Sequence, residues 1–166
     1  MTRVVLIDGR SGSGKTTLAE QIAAELSTDD STGQTLHLDL LYPGWDGLAL
    51  GSLAVATALS EGGYHPYDWH EGEFATSWIA LDPERPLVIE GCGAVTEANL
   101  AAARAWASKR GVAEVRAIWL ECDETLRRER ALARDGATFA PHWQQWAAQE
   151  DAHYAVHQPW LLVRNA

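Results

Sequence analysis

Apolar positions fall in short runs separated by longer amphipathic stretches. The run inside "RVVLID" (residues 3–8) is too short for a helix and ends against a glycine, which predicts a buried strand. The stretch that follows, "GKTTLAEQIAAELS" from Gly14 to Ser27, places Leu18, Ile22 and Leu26 on one face at helical spacing and predicts a helix. Further strands are predicted at "QTLHLD" (Gln34 to Asp39), at "RPLVIEG" with Pro86 before it and Glu90-Gly91 closing it, at "AEVRAIWLEC", and at the final "WLLVRN". Helices are predicted over about 47–60, 96–110 with Gly111 as the stop, 123–134 and 141–157. Strands alternating with helices imply a parallel sheet covered on both faces, so the expected fold class is α/β, three layers around a sheet of about five strands.

The length of 166 residues fits one domain with one substantial core, taken as 1–166. Composition narrows the partners. Thirteen Lys plus Arg against twenty-three Asp plus Glu give a net charge of −10, which repels nucleic-acid backbones and anionic lipid. No apolar run approaches the ~18 residues that span a bilayer, and Asp8 and Gly9 cut short the first one, so a cytoplasmic protein is expected. In that compartment Cys92 and Cys122 stay reduced.

Candidate chemistry begins where the first strand meets the first helix. Gly9-Arg10-Ser11-Gly12-Ser13-Gly14-Lys15-Thr16 fits G-x-x-x-x-G-K-[ST], the phosphate-binding loop or P-loop. Its glycines let the backbone wrap a phosphate chain, and its N–H groups, with the N-terminus of the next helix, point at the anion. ATP is the expected ligand, held by Gly9, Ser11, Gly12, Ser13, Gly14, Lys15, Thr16 and Thr17. Lys15 is placed to reach the β- and γ-phosphates and the Thr16 hydroxyl to bind Mg²⁺. The Asn-Lys-x-Asp signature of guanine readers and the Ser-Gly-Gly-Gln signature of transporter ATPases are absent.

In an open parallel sheet, ligands bind beyond the carboxyl ends of the strands, so Asp39 and Glu90 are expected to face the loop across one crevice. A hydroxyl attacking a γ-phosphoryl needs a carboxylate to take its proton and a metal to spread the developing charge. Asp39 fits the base and Glu90 the Mg²⁺ shell, with Asp39 a further candidate ligand; the two roles are open to exchange or sharing.

Together with the loop, "HLDLLY" (Asp39, Tyr42), "HPYDW" (Tyr67, Asp68) and "LVIEGCGA" (Glu90) resemble the uridine kinase family, relatives of phosphoribulokinase and bacterial pantothenate kinase. "CDETLRRERALARDG" is similar to that family's arginine-rich lid. The resemblance implies Asp39 as base, Tyr42, Tyr67 and Asp68 as acceptor contacts, and a lid over about 123–140. On a helix, Arg127, Arg130 and Arg134 share one face, with Arg128 a quarter-turn away. Arg127 and Arg134 are the first candidates for clamping the transferring phosphoryl, the alternative being a solvated face paired to Glu124, Glu129 and Asp135.

The resulting expectation is an ATP- and Mg²⁺-dependent kinase acting on a hydroxyl of a nucleoside or similar small metabolite. Rivals are kinases of monophosphates, pantothenate or sugars, and a regulatory module that binds ATP without transferring it. Residues 40–80 contain no Lys or Arg, which disfavours a phosphate-bearing acceptor.

Overall fold

The computed structural model describes residues 3–109, 111 and 114–163. In chain order the elements are β1 (Arg3–Gly9), α1 (Lys15–Leu26), β2 (Gln34–His37), a 3₁₀ turn at Leu38–Leu40, and α2 (Leu48–Glu61). Four two-residue strands follow: β3 (Gly63–Tyr64), β4 (Tyr67–Asp68), β5 (Glu73–Phe74) and β6 (Ile79–Ala80). Then come β7 (Leu87–Glu90), α3 (Glu97–Ser108), β8 (Glu114–Leu120) and α4 (Glu124–Phe139). A 3₁₀ turn at Ala140–His142, α5 (Trp143–His157) and α6 (Pro159–Leu162) complete the series.

The main sheet has the order β2-β7-β1-β8, all parallel, with Leu6 opposite Ile89 on one side and Ala117 on the other. Because side chains alternate along a strand, β1 feeds both faces. Val4 and Leu6 join Leu36, Leu87 and Ile89 in the large core, which Trp106 of α3 and Trp146 of α5 complete. Val5 and Ile7 join Val88 under α1, where Leu18, Ile22 and Leu26 pack as their spacing predicts. Full burial of each aliphatic side chain contributes roughly 1.5–3 kcal/mol, so β1 is pinned from above and below. Asn99 ties α3 to the loop after β7: its amide donates to Ser52 O, Gly93 O and Ala94 O.

The predicted fifth strand is not present among the described residues. "WLLV" instead begins as α6, because Gln158 adopts a left-handed conformation (φ 43°) and Pro159 opens the next helical turn, a position where its missing N–H costs nothing. Trp160 packs against Trp119 of β8, with ring centroids 5.5 Å apart; residues 164–166 lie outside the described residues. β2 also stops at His37, two residues short of the predicted end, so Asp39 sits on the 3₁₀ turn beyond it. The paired short strands β3/β6 and β4/β5 carry no readable alternation in sequence.

Candidate functional site

The glycine loop spans the carboxyl end of β1 and the start of α1. Gly12 (φ 80°) and Gly14 (φ 96°) take left-handed conformations that other residues adopt only under strain, and Gly14 is the N-cap of α1. Lys15 is buried, its Nζ donating to Arg10 O at 3.0 Å. Burial works against its charge, but Cys92 and the carboxylates of Glu90, Glu150 and Asp8 together outweigh that effect and hold its pKa above the usual value. The Thr16 hydroxyl donates to Glu90 Oε1 at 3.3 Å, so β7 and α1 meet at one point.

α5 grips the loop from behind. Glu150 Oε2 accepts from the Ser11 N–H at 2.7 Å and from Cys92 Sγ at 3.5 Å, Asp151 pairs with Arg10 at 2.7 Å, and the Tyr154 hydroxyl donates to Asp8 at 2.7 Å. Asp8 is fully buried and also accepts from the N–H groups of Gly9, Gly93 and Val95. Sequence reasoning assigned this helix a span and no site role; Trp143 and Trp146 lie on its buried face. The signal for more was Glu150, an acid on the buried stripe that both tryptophans define.

Desolvation raises the Asp8 pKa to about 6, against those hydrogen bonds. An unfolded carboxyl ionises near 3.8, so between pH ~4 and ~6 the folded protein holds a proton that the unfolded chain has lost, and Asp8 makes stability fall as pH rises through that window. At ~1.4 kcal/mol per pH unit, the expected loss is ~3 kcal/mol. Chemical denaturation of the wild type and Asp8→Asn across pH 4–7 checks it: the stability difference between them should shift by about that amount. A constant difference would contradict the raised value.

Across the cleft, Glu90 Oε1 also lies 2.6 Å from His37 Nδ1, and this hydrogen bond raises the imidazole pKa. Asp39 lies beside the pair. Its side chain is accessible from the open cleft, yet surrounding protein desolvates it enough, with the charge of Glu90, to raise its pKa, while Arg134, Lys15 and His37 act in the opposite direction. The Trp69 indole N–H donates to Asp39 O at 2.7 Å and fixes the turn that carries the carboxylate.

Lys15, Thr16, Thr17, Asp39, Tyr42 and Glu90 line one cleft of about 760 Å³. Five other sequence candidates are not part of its lining: Gly9 and Ser13 of the loop itself, and Tyr67, Asp68 and Arg127. Tyr67 packs edge-on to Trp69 and Phe74, and Asp68 Oδ1 accepts from the N–H groups of His70 and Glu71, closing its own exposed turn. Trp69, the next residue, enters the cleft instead. Arg127 is buried under the loop, donating through Nη1 to Ser11 O at 3.3 Å and through Nε to Cys122 O at 3.2 Å. Arg130 and Arg134 line the cleft, and Arg134 also pairs with Asp135 at 2.8 Å. Gly136 breaks the helical conformation of α4 just beyond them (φ 53°, ψ −129°).

A glycine loop between strand and helix, at the carboxyl edge of a parallel sheet and facing strand-end acids, defines a P-loop fold. No protein-family model matches the chain, and no curated protein does. Solved structures do match. A possible uridine kinase from Bacillus stearothermophilus superimposes with a TM-score of 0.56 at 18% identity, over 95% of this chain and 84% of that one. A provisionally assigned fructose transport system kinase from Silicibacter sp. TM1040 gives 0.54 at 19%, over 93% and 78%. The chain has the fold of these P-loop kinases, with four parallel strands in its main sheet.

Proposed function

We propose that the protein is an ATP- and Mg²⁺-dependent kinase that transfers the γ-phosphoryl group to a hydroxyl of a small uncharged metabolite, the nucleoside implied by the uridine kinase resemblance being the narrower form. The observation that carries this reading is the placement of Asp39 and Glu90 opposite Lys15 and Thr16 in one cleft with Arg130 and Arg134. A nucleotide-binding regulatory module needs neither the strand-end base nor the cleft arginines.

The residues fit both ATP and Mg²⁺. A side chain added at Gly14, which lines the cleft, would meet nothing within 4 Å, and Lys15 is already desolvated beside it. Among the described residues no cluster of three or more His, Cys, Asp or Glu forms a metal cage. That suits Mg²⁺, which keeps its waters and takes one or two protein ligands beside the phosphates, here Thr16 with Glu90 or Asp39. When bound, Mg²⁺ spreads the negative charge that develops on the phosphate oxygens.

The chain's own residues do the rest. Lys15 and the loop N–H groups hold the donor in line, Glu150 and Arg127 hold the loop, and Glu90 orients the Thr16 hydroxyl. Asp39 takes the acceptor proton, its raised pKa bringing it nearer the working pH. Arg130 and Arg134 line the cleft from α4 and would stabilise charge on the transferring phosphoryl group. Tyr67 and Asp68 act only by holding Trp69 in place. The charge of −10 is unsuited to nucleic-acid or anionic-membrane partners, and no described helix is long and apolar enough to cross a membrane.

The test is Mg²⁺-dependent ADP formation with a panel of alcohols. One unphosphorylated compound is expected to raise the rate at least tenfold, while monophosphates leave it unchanged. ATP binding with the same background rate for every compound would point to a regulatory module instead.

A further inference from the structure

The acceptor side of the cleft is built from rings. Trp45 lies 4.9 Å from Trp69 at 60°, 5.2 Å from Phe139 at 89°, and stacks on His142 at 4.4 Å. Tyr42 and Trp146 close the floor, edge to face at 4.8 Å. Pro66 and the two short hairpins bring Trp69 to the mouth, where it is 39% exposed and free to meet a ligand.

Most side-chain polar atoms of this wall are already committed to the protein. The Tyr42 hydroxyl donates to Cys92 O at 2.7 Å, Trp69 Nε1 to Asp39 O, and Cys92 Sγ to Glu150. His142 Nδ1 is bonded to Gln145, and Asp135 to Arg134. The Asp68 carboxylate, outside the cleft, is used by its own turn. Among the described residues on this wall, the Thr138 hydroxyl and the indole N–H groups of Trp45 and Trp146 are left, the last of them buried without a partner. A nucleobase brings three or more polar edges and a sugar four or five hydroxyls. Each one buried without a partner weakens binding roughly ten- to a hundredfold.

Resting on the kinase reading above but departing from its nucleoside form, we propose that the acceptor is an uncharged alcohol with an apolar, ring-sized hydrocarbon body seated against Trp45 and Trp69, in place of a nucleoside or a sugar. Only the hydroxyl of such a compound needs a polar partner, and Asp39 supplies it. Its Oδ accepts the alcohol proton as the alcohol oxygen bonds to the γ-phosphorus and the bond from that phosphorus to the β–γ bridging oxygen breaks, with ADP as the leaving group. The ring takes the edge-to-face contacts that aromatic side chains favour. Residues 40–80, with no Lys or Arg, offer no charge for an anionic acceptor.

Calorimetric titration with Mg²⁺ and a non-hydrolysable ATP analogue tests this with 2-phenylethanol, cinnamyl alcohol, uridine, cytidine and ribose, alongside ADP formation from ATP with the same compounds. The aryl alcohols are expected to bind at least tenfold more tightly than the others and to stimulate ADP formation. Trp69→Ala should weaken their binding about tenfold, while Trp69→Phe, which keeps a ring but not the N–H, retains most of it. Tighter binding of uridine, cytidine or ribose, or no binding by any compound, overturns the proposal. Aryl alcohols that bind without ADP formation would leave the pocket assignment standing and remove the kinase reading.

Discussion

Asp39→Asn should slow alcohol-dependent ADP formation by about 10²–10⁴ while changing ATP affinity less than threefold, since a positioned general base contributes about that much. The substitution isolates the chemistry for a structural reason. Trp69 holds the backbone carbonyl of residue 39, not its carboxylate, so the 3₁₀ turn survives the change. Asparagine is nearly isosteric, also relieves the repulsion from Glu90, and cannot accept the hydroxyl proton. ATP affinity by calorimetry and turnover by coupled ADP assay separate the two effects. Turnover equal to wild type would remove Asp39 as base. An equal loss of affinity and turnover would instead make it part of the donor site.

Local signals carried the reading of the loop, and distance limited the rest. Strand, glycine loop and helix are adjacent in sequence, and their apolar spacing alone implied β1, α1 and the cradle between them. Asp39 and Glu90 were readable because a parallel sheet places every strand's carboxyl end on one side. Glu150 and Tyr154 were not, because they meet Ser11 and Asp8 across 139 and 146 residues. The aromatic segment shows a subtler limit. Resemblance points to Tyr67 and Asp68, but these lie in a two-residue strand whose turn consumes the Asp68 carboxylate, so the neighbouring Trp69 reaches the cleft. Helical periodicity likewise put Arg127 and Arg134 on one face without showing that α4 begins against the loop. Its first arginine is therefore buried beneath Ser11, and Arg130 joins Arg134 in the cleft. "WLLV" failed as a strand because one proline before an apolar run favours helix initiation there.

The joint between loop and α4 yields the second large effect. A methyl group on Gly12 would run into the backbone carbonyl of Arg127, at a φ of 80° that L-residues with side chains adopt only under strain. Neither partner can easily yield. Arg127 is tied to Ser11 O and Cys122 O, its N–H to Asp123 O, and the loop is held from behind by Glu150. Backbone strain of this kind costs about 1–3 kcal/mol, and the clash adds to it. Gly12→Ala should therefore destabilise the protein by at least ~2 kcal/mol and weaken ATP binding ten- to a hundredfold. Gly62→Ala separates the two causes: Gly62 has a similar φ of 75°, ends α2 outside the lining of the cleft, and would place its methyl group in open space. That variant should lose about 1 kcal/mol and bind ATP normally. Equal stability losses in the two variants, with ATP affinity intact in both, would show that the loop is not seated against α4 in solution.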